Sequence, residues 1–264
     1  MQIELSNIDS LINALLQKRL ITVPIEGFSL GAASELAAWM FANAVSPDSL
    51  ELPLKKSAHF TAAWRLLNGG GAVLPPKRFD AVDEAFYPLR EKTDMLHESW
   101  TGFVERLAAA LKRNGFPSDS HQALAGAFED MADNVIQHSN FGTMTPANGF
   151  AAYKIGQGTL SFTIADVGIG ALASLRYNPV YADLPNGRTA LDLIAREYAS
   201  RRTGQGKGEG YKSLFVGLAR FNGTVRLRSA NGVLTLQGAL DKVSPVASSQ
   251  HQVPGLQLSV ECRI

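Results

Sequence analysis

The sequence predicts an α/β chain of the α+β sandwich kind, and three observations predict it. Leu124, Phe128, Met131 and Val135 recur at spacings of four, three and four, which is the period of an amphipathic helix. Residues 159–165, Thr-Leu-Ser-Phe-Thr-Ile-Ala, alternate apolar with small polar residues, the pattern of a half-buried strand. Gly204, Gly206, Gly208 and Gly210 alternate with polar residues directly before an apolar, helix-like stretch. Glycine at every second position serves neither a helix interior nor a strand, so this run reads as a backbone cradle opening a helix.

The elements follow in chain order. Residues 1–90 read as a separate α/β region with no catalytic signature. It comprises a strand at 20–25, a helix at 32–44, a strand at 50–54 whose Pro53 suits an edge, and a helix at 57–67. Gly69-Gly70-Gly71 ends that helix, and Pro75-Pro76 marks a loop. Residues 91–264 form the second unit. A helix is expected over about 81–112, broken near Pro88 and stopped by Asn114-Gly115-Phe116-Pro117. Ser118-Asp119-Ser120 offers caps for the helix that runs to about Ser139. Strands at 150–155 and 159–165 flank a Gly156-Gln157-Gly158 turn. A helix at 190–201, the glycine run and a helix at 211–221 come next. Strands at 224–229, 233–240 and 256–263 complete the chain, with a polar loop over 243–254.

Composition narrows the function classes. The chain has 264 residues, 45% hydrophobic, with a formal charge of +1, so nothing suggests broad binding to nucleic acid or to an anionic membrane. One cysteine, Cys262, leaves no intrachain disulfide and no cysteine-based zinc site. The N-terminus lacks the apolar core of a signal peptide, and no stretch approaches a membrane span, so a cytoplasmic protein is expected.

Three segments carry chemistry. On the 118–139 helix, Asp130, Asp133, Asn134 and Gln137 share a face, with Asp130 and Asn134 one turn apart. A carboxylate beside an amide oxygen suits Mg²⁺ that keeps waters and phosphate oxygens as its other ligands. The same face also fits a solvated helix surface. The 159–165 strand stops at Asp166, and Gly168 and Gly170 bend the chain away. A carboxylate at a strand end can accept a hydrogen bond from the exocyclic amine of adenine, which guanine lacks at that position. The glycines would leave room for a flat ring. A solvent-exposed Asp in a turn gives the same pattern. The glycine run fails the P-loop, because Tyr211 precedes Lys212-Ser213, and it fails the dinucleotide fingerprint in every register. A flexible linker is the other reading of it.

Order and spacing join the three. Asp130-x-x-x-Asn134-x-x-x-His138, Asp166-Val167-Gly168-Ile169-Gly170 and Gly206-Lys207-Gly208-Glu209-Gly210-Tyr211-Lys212-Ser213 resemble the N, G1 and G2 boxes of the GHKL superfamily (gyrase, Hsp90, histidine kinase, MutL). The resemblance covers about residues 100–264. It implies a Bergerat-type ATP-binding domain with helices on one face of a mixed sheet. It also implies ATP and Mg²⁺ as cofactors. Asn134 would hold the metal, Asp166 the adenine amine, and Gly168 and Gly170 the base pocket. Gly206, Gly208 and Gly210 would contact phosphate through their backbone, with Lys207 and Lys212 neutralising its charge. Asp130 is the catalytic candidate, standing where hydrolysing members usually carry Glu. Residues 171–205 would be a mobile lid. Where the late strand of the family often carries Gly-Thr, this chain has Gly255-Leu256. The function implied is a regulatory ATP-binding protein, a signalling kinase acting on a partner protein, with a homodimer possible. A catalytically weak, nucleotide-gated interaction module and a GHKL ATPase are the alternatives. His97-Glu98 lacks the rest of a phosphoacceptor box, so any acceptor would lie in another protein.

Overall fold

The computed structural model describes residues 2–18, 25–50, 52, 54–73, 83–142, 147–201, 214, 223–237 and 247–264. Its centre is a five-stranded sheet. In chain order the strands are β3 (Asp83–Leu89), β4 (Gly149–Gly156), β5 (Thr159–Asp166), β6 (Thr224–Gln237) and β7 (Ala247–Arg263). Their spatial order is β3-β4-β5-β7-β6, and every neighbouring pair is antiparallel. A two-stranded parallel ribbon joins β1 (Gln2–Ile3) to β2 (Gly27–Phe28). The α+β sandwich is therefore what forms, but the main sheet is antiparallel where a mixed one was expected.

Strand periodicity sends alternate residues to opposite faces. Ala151, Tyr153 and Ile155 of β4 enter one core, and Phe150 and Ala152 enter another. The first core is covered by α4 (Glu98–Arg113), α5 (Ser118–His138), α6 (Gly170–Arg176) and α7 (Gly187–Glu197). The predicted stripe Leu124, Phe128, Met131 and Val135 is buried on α5. Phe128 meets Phe162 of β5 edge-on at 5.4 Å between ring centroids and stacks on Trp100 of α4 at 6.1 Å. The second core is covered by α1 (Ile8–Leu16), α2 (Leu30–Ala42) and α3 (Ala58–Leu67). Helices therefore lie on both faces, those of the N-terminal region covering the face that was expected to be bare. A helix of mostly small residues can lie flat on a sheet, and α2 is buried nearly all round. A Cβ on Gly31 would fall 2.7 Å from Ser259 Oγ of β7.

Several expectations change. Residues 247–254, expected in a polar loop, belong to β7. Residues 83–89 are a strand, not the start of a helix; Pro88 is tolerated because β3 is a sheet edge. The boundary expected at 90–91 thus falls just after an edge strand of the main sheet. Pro47–Ser49 and Leu54–Lys56 are 3₁₀ turns where an edge strand was read over 50–54. Thr163 does not face solvent: it is buried and donates to the Leu258 carbonyl at 2.9 Å. The strand read at 20–25 lies outside the described residues except for Ile25. Among the described residues no helix is long and apolar enough to cross a membrane.

Candidate functional site

Asp166 ends β5 inside the protein, with only 3% of its surface exposed. Its Oδ1 accepts the Gly168 N–H at 2.7 Å, and its Oδ2 accepts the Leu256 N–H at 3.0 Å. Gln257 Nε2 donates to the Asp166 carbonyl at 2.6 Å. Burial pushes the carboxyl pKa up to about 7, against the pull of the two backbone N–H groups, which favour the charged form. Asp166 is thus a carboxylate poised to change charge near neutrality.

The loop after Asp166 is packed by backbone. A Cβ on Gly168 would lie 1.9 Å from the Ser139 carbonyl oxygen at the end of α5, and one on Gly255 would lie 2.1 Å from the Asp166 carbonyl oxygen. Gly170, at φ +75°, would bring a Cβ within 2.8 Å of both the Gly255 carbonyl and Ser229 Oγ. The room that Gly168 and Gly170 were expected to leave for a flat ring is therefore filled, on their Cβ sides, by the protein itself. On another side Gly168, Gly170 and Gly255 line a cavity of about 290 Å³, shared with Asn43 at the end of α2. The Asp166 carboxylate lies directly behind its Gly168 and Gly255 wall, since an added Cβ on Gly255 would also fall 2.4 Å from Asp166 Oδ1.

Helix α5 reaches the same corner. Val135 Cγ1 and Asp166 Cβ both border the space above Gly149, at 2.9 and 3.1 Å from a Cβ built there. Asn134, the adjoining residue, is half-buried, with Nδ2 3.8 Å from Met131 Sδ. Asp130 is exposed one turn earlier, and Gln137 is paired with Asp133. Neither Asp130 nor Asn134 lines the 290 Å³ cavity. At the end of α5, Ile169 N–H donates to the Ser139 carbonyl at 2.7 Å. His138 Nδ1 lies 3.2 Å from Ser174 Oγ of α6 and receives Arg201 Nε at 3.3 Å.

The segment expected to be a mobile lid is different up to residue 201. It forms α6, the 3₁₀ turn Pro179–Tyr181 and α7, with Leu175, Leu191 and Ile194 buried in the core. Gly187 packs at the start of α7 so closely that its Cβ would be 2.8 Å from the Ser229 carbonyl. The glycine run, and with it Gly206, Lys207, Gly208, Gly210 and Lys212, lies outside the described residues.

A buried ionic cluster that no motif announced lies on the opposite face of the sheet. Arg226 and Arg228 of β6 are buried, as is Glu35 of α2. Arg226 Nε donates to Glu35 Oε2 at 3.1 Å, and its Nη2 donates to Asp9 Oδ2 of α1 at 2.8 Å. Arg228 pairs with Asp9 and lies 3.2 Å from Glu35 Oε1. Burial raises the pKa of Asp9, but the two guanidiniums outweigh it and hold the carboxyl below its usual range. Arg228 Nη2 is 2.7 Å from His251 Nε2, so that nitrogen is the acceptor and Nδ1–H donates to Asn13 Oδ1 at 3.2 Å. Burial, then Arg228, pushes His251 down to about 4. The one signal available was Glu35, a lone charge in an apolar helix.

Among the described residues no group of three or more His, Cys, Asp or Glu side chains is gathered to hold a metal ion. Compared with known proteins, the chain matches no family model and no curated protein.

Proposed function

We propose that the chain is an ATP–Mg²⁺-binding regulatory protein of the GHKL, histidine-kinase-like class that acts on a partner protein. The observation that carries this reading is the convergence on Asp166. Gly255-Leu256, the pair standing where the family has Gly-Thr, falls on its carboxylate, and the helix bearing Asn134 abuts the same strand end. These contacts link positions 90 residues apart that the motif pattern alone associates.

The chemistry of the residues suits the group, with the Asp166 carboxylate behind the glycine wall of the cavity. Each Asp166 oxygen accepts one N–H, and a carboxylate has about four acceptor sites, so capacity remains for an exocyclic amine. The Leu256 N–H holds the oxygen for which such an amine would compete. Asn134 offers one oxygen, and Mg²⁺ with phosphate and water would complete a near-octahedral set. Bound ATP would supply the transferable phosphoryl group, and Mg²⁺ would neutralise its charge. The protein's part would be positioning: Asp166 would select the base, α5 would present Asn134, and Asp130 would orient an attacking hydroxyl or water.

A titration of ATP–Mg²⁺ tests the reading. Wild type should bind ATP and discriminate against GTP. Asp166→Ala should abolish binding, and Asn134→Ala should remove its Mg²⁺ dependence. ATP binding that survives Asp166→Ala, or equal binding of GTP by wild type, would overturn the assignment. Affinity should also fall as pH drops below about 7, because a protonated Asp166 offers the amine a donor in place of an acceptor. The exposed position and short reach of Asp130 favour the second reading, a nucleotide-gated interaction module. Binding with neither hydrolysis nor transfer would select it.

A further inference from the structure

We propose that the cavity between the end of α2 and the loop after Asp166 binds a small uncharged ligand, a flat ring that carries a carboxamide or lactam edge. The cavity measures about 290 Å³. That is the lower limit of the roughly 300–1,000 Å³ range of small-molecule sites, enough for one substituted ring and too little for a whole nucleotide. Asp130 and Asn134 of α5 do not line it, and nothing about it depends on the nucleotide reading.

Three features select this ligand. The first is charge. None of the described residues lining the cavity is ionisable. An ion would give up its hydration there with no opposite charge on the wall to replace it. The Asp166 carboxylate, behind the wall, already accepts two backbone N–H groups. The second is the hydrogen-bonding inventory. Asn43, the C-cap of α2, donates Nδ2 to the Trp39 carbonyl at 2.7 Å, which fixes its amide and leaves Oδ1 as an acceptor. Gln252 brings a second amide from the exposed side. The Ser229 hydroxyl is already committed: it accepts the Ala171 N–H at 2.9 Å and donates to the Gly255 carbonyl at 2.6 Å. An amide edge on the ligand answers both side-chain amides, its N–H meeting the Asn43 oxygen and its carbonyl a Gln252 N–H. The third is the wall. Gly168, Gly170 and Gly255 contribute bare backbone, and Ile169, Val253 and Pro254 add aliphatic surface. Hydrogen bonds within the protein brace it. Gly255 N–H donates to the Gly168 carbonyl at 3.0 Å, and Gln257 Nε2 reaches the Asp166 and Pro254 carbonyls at 2.6 and 3.4 Å. A braced wall of backbone and carbon suits the face of a flat ring and spares the ordering cost of binding.

The test uses the full chain and two probes of one shape: nicotinamide, uncharged at neutral pH, and nicotinate, in which a carboxylate replaces the carboxamide. Binding is read by calorimetry and by the backbone amide resonances of Gly168, Gly170 and Gly255. Nicotinamide should bind and shift those resonances, and nicotinate should bind at least about tenfold more weakly. Asn43→Ala and Gln252→Ala should each weaken nicotinamide binding about fivefold or more. Thermal unfolding of each variant separates lost binding from lost folding, and the exposed position of Gln252 makes its variant the safer of the two. Nicotinamide binding should persist in the presence of ATP–Mg²⁺. No nicotinamide binding by wild type at millimolar concentration, equal binding of nicotinate, or binding unchanged in both variants would overturn the proposal. Competitive displacement by ATP–Mg²⁺ would overturn it too, since the cavity would then be part of a nucleotide site.

Discussion

Gly255 has a backbone φ of +63°, and its Cα lies so close to Asp166 that any side chain would collide with that residue's carbonyl and carboxylate. Both the left-handed conformation and the close approach exclude a Cβ. Gly255→Ala should therefore lower stability by at least ~1–3 kcal/mol, read as a shift in the urea midpoint at constant slope. Gly102 makes the opposite case. It lies inside α4 with nothing within 4 Å of a built Cβ, so Gly102→Ala should raise stability by about 0.5–1 kcal/mol. At this scale the sequence was informative where the backbone needed a special residue. Asp166, Gly168 and Gly170 announced a strand end and a tight loop. The same glycines did not reveal what fills the space beside them, because Ser139 and Gly255 reach them from distant parts of the chain.

Between elements, an ionic cluster joins β6 to α1 and α2. Buried ion pairs add little net stability over apolar packing, yet losing one partner strands the other in a low-dielectric interior. Glu35→Leu should destabilise the protein by about 3–5 kcal/mol. Arg226→Met added to Glu35→Leu should cost less than the sum of the two single changes, as a double-mutant cycle in urea would show. Periodicity could not expose this cluster. Arg226 and Arg228 occupy alternate strand positions, which reads as a solvent face until α2 is known to cover it. The helices α2, α3 and α5 were legible because each carries its own apolar period or cap. β3 was not, because Asp83-Glu84-Ala85 suits a helix start and only its pairing with β4 makes it a strand. The short α6 gave no periodic signal in its seven residues.

For the whole molecule, two buried groups set opposing pH responses over one window. Asp166 keeps its proton in the folded state up to about pH 7 but releases it near 3.8 when unfolded. Between those values the folded state holds more protons, so this residue makes stability fall as pH rises. His251 titrates near 4 when folded against an ordinary 6.5, so the unfolded state holds more protons and stability rises with pH. The wild-type profile between about pH 4 and 7 should therefore be nearly flat with respect to this pair. His251→Gln should leave a decline toward pH 7, and Asp166→Asn a climb, both measurable as urea midpoints across the window. The arginine-to-carboxylate lattice that surrounds His251 has a practical consequence for anyone dividing this chain. A protein begun at residue 91 would keep Arg226 and Arg228 while discarding Asp9 and Glu35, and would bare the sheet face that α2 covers. Such a fragment should express poorly and aggregate, so residues 91–264 are best prepared with the N-terminal helices attached.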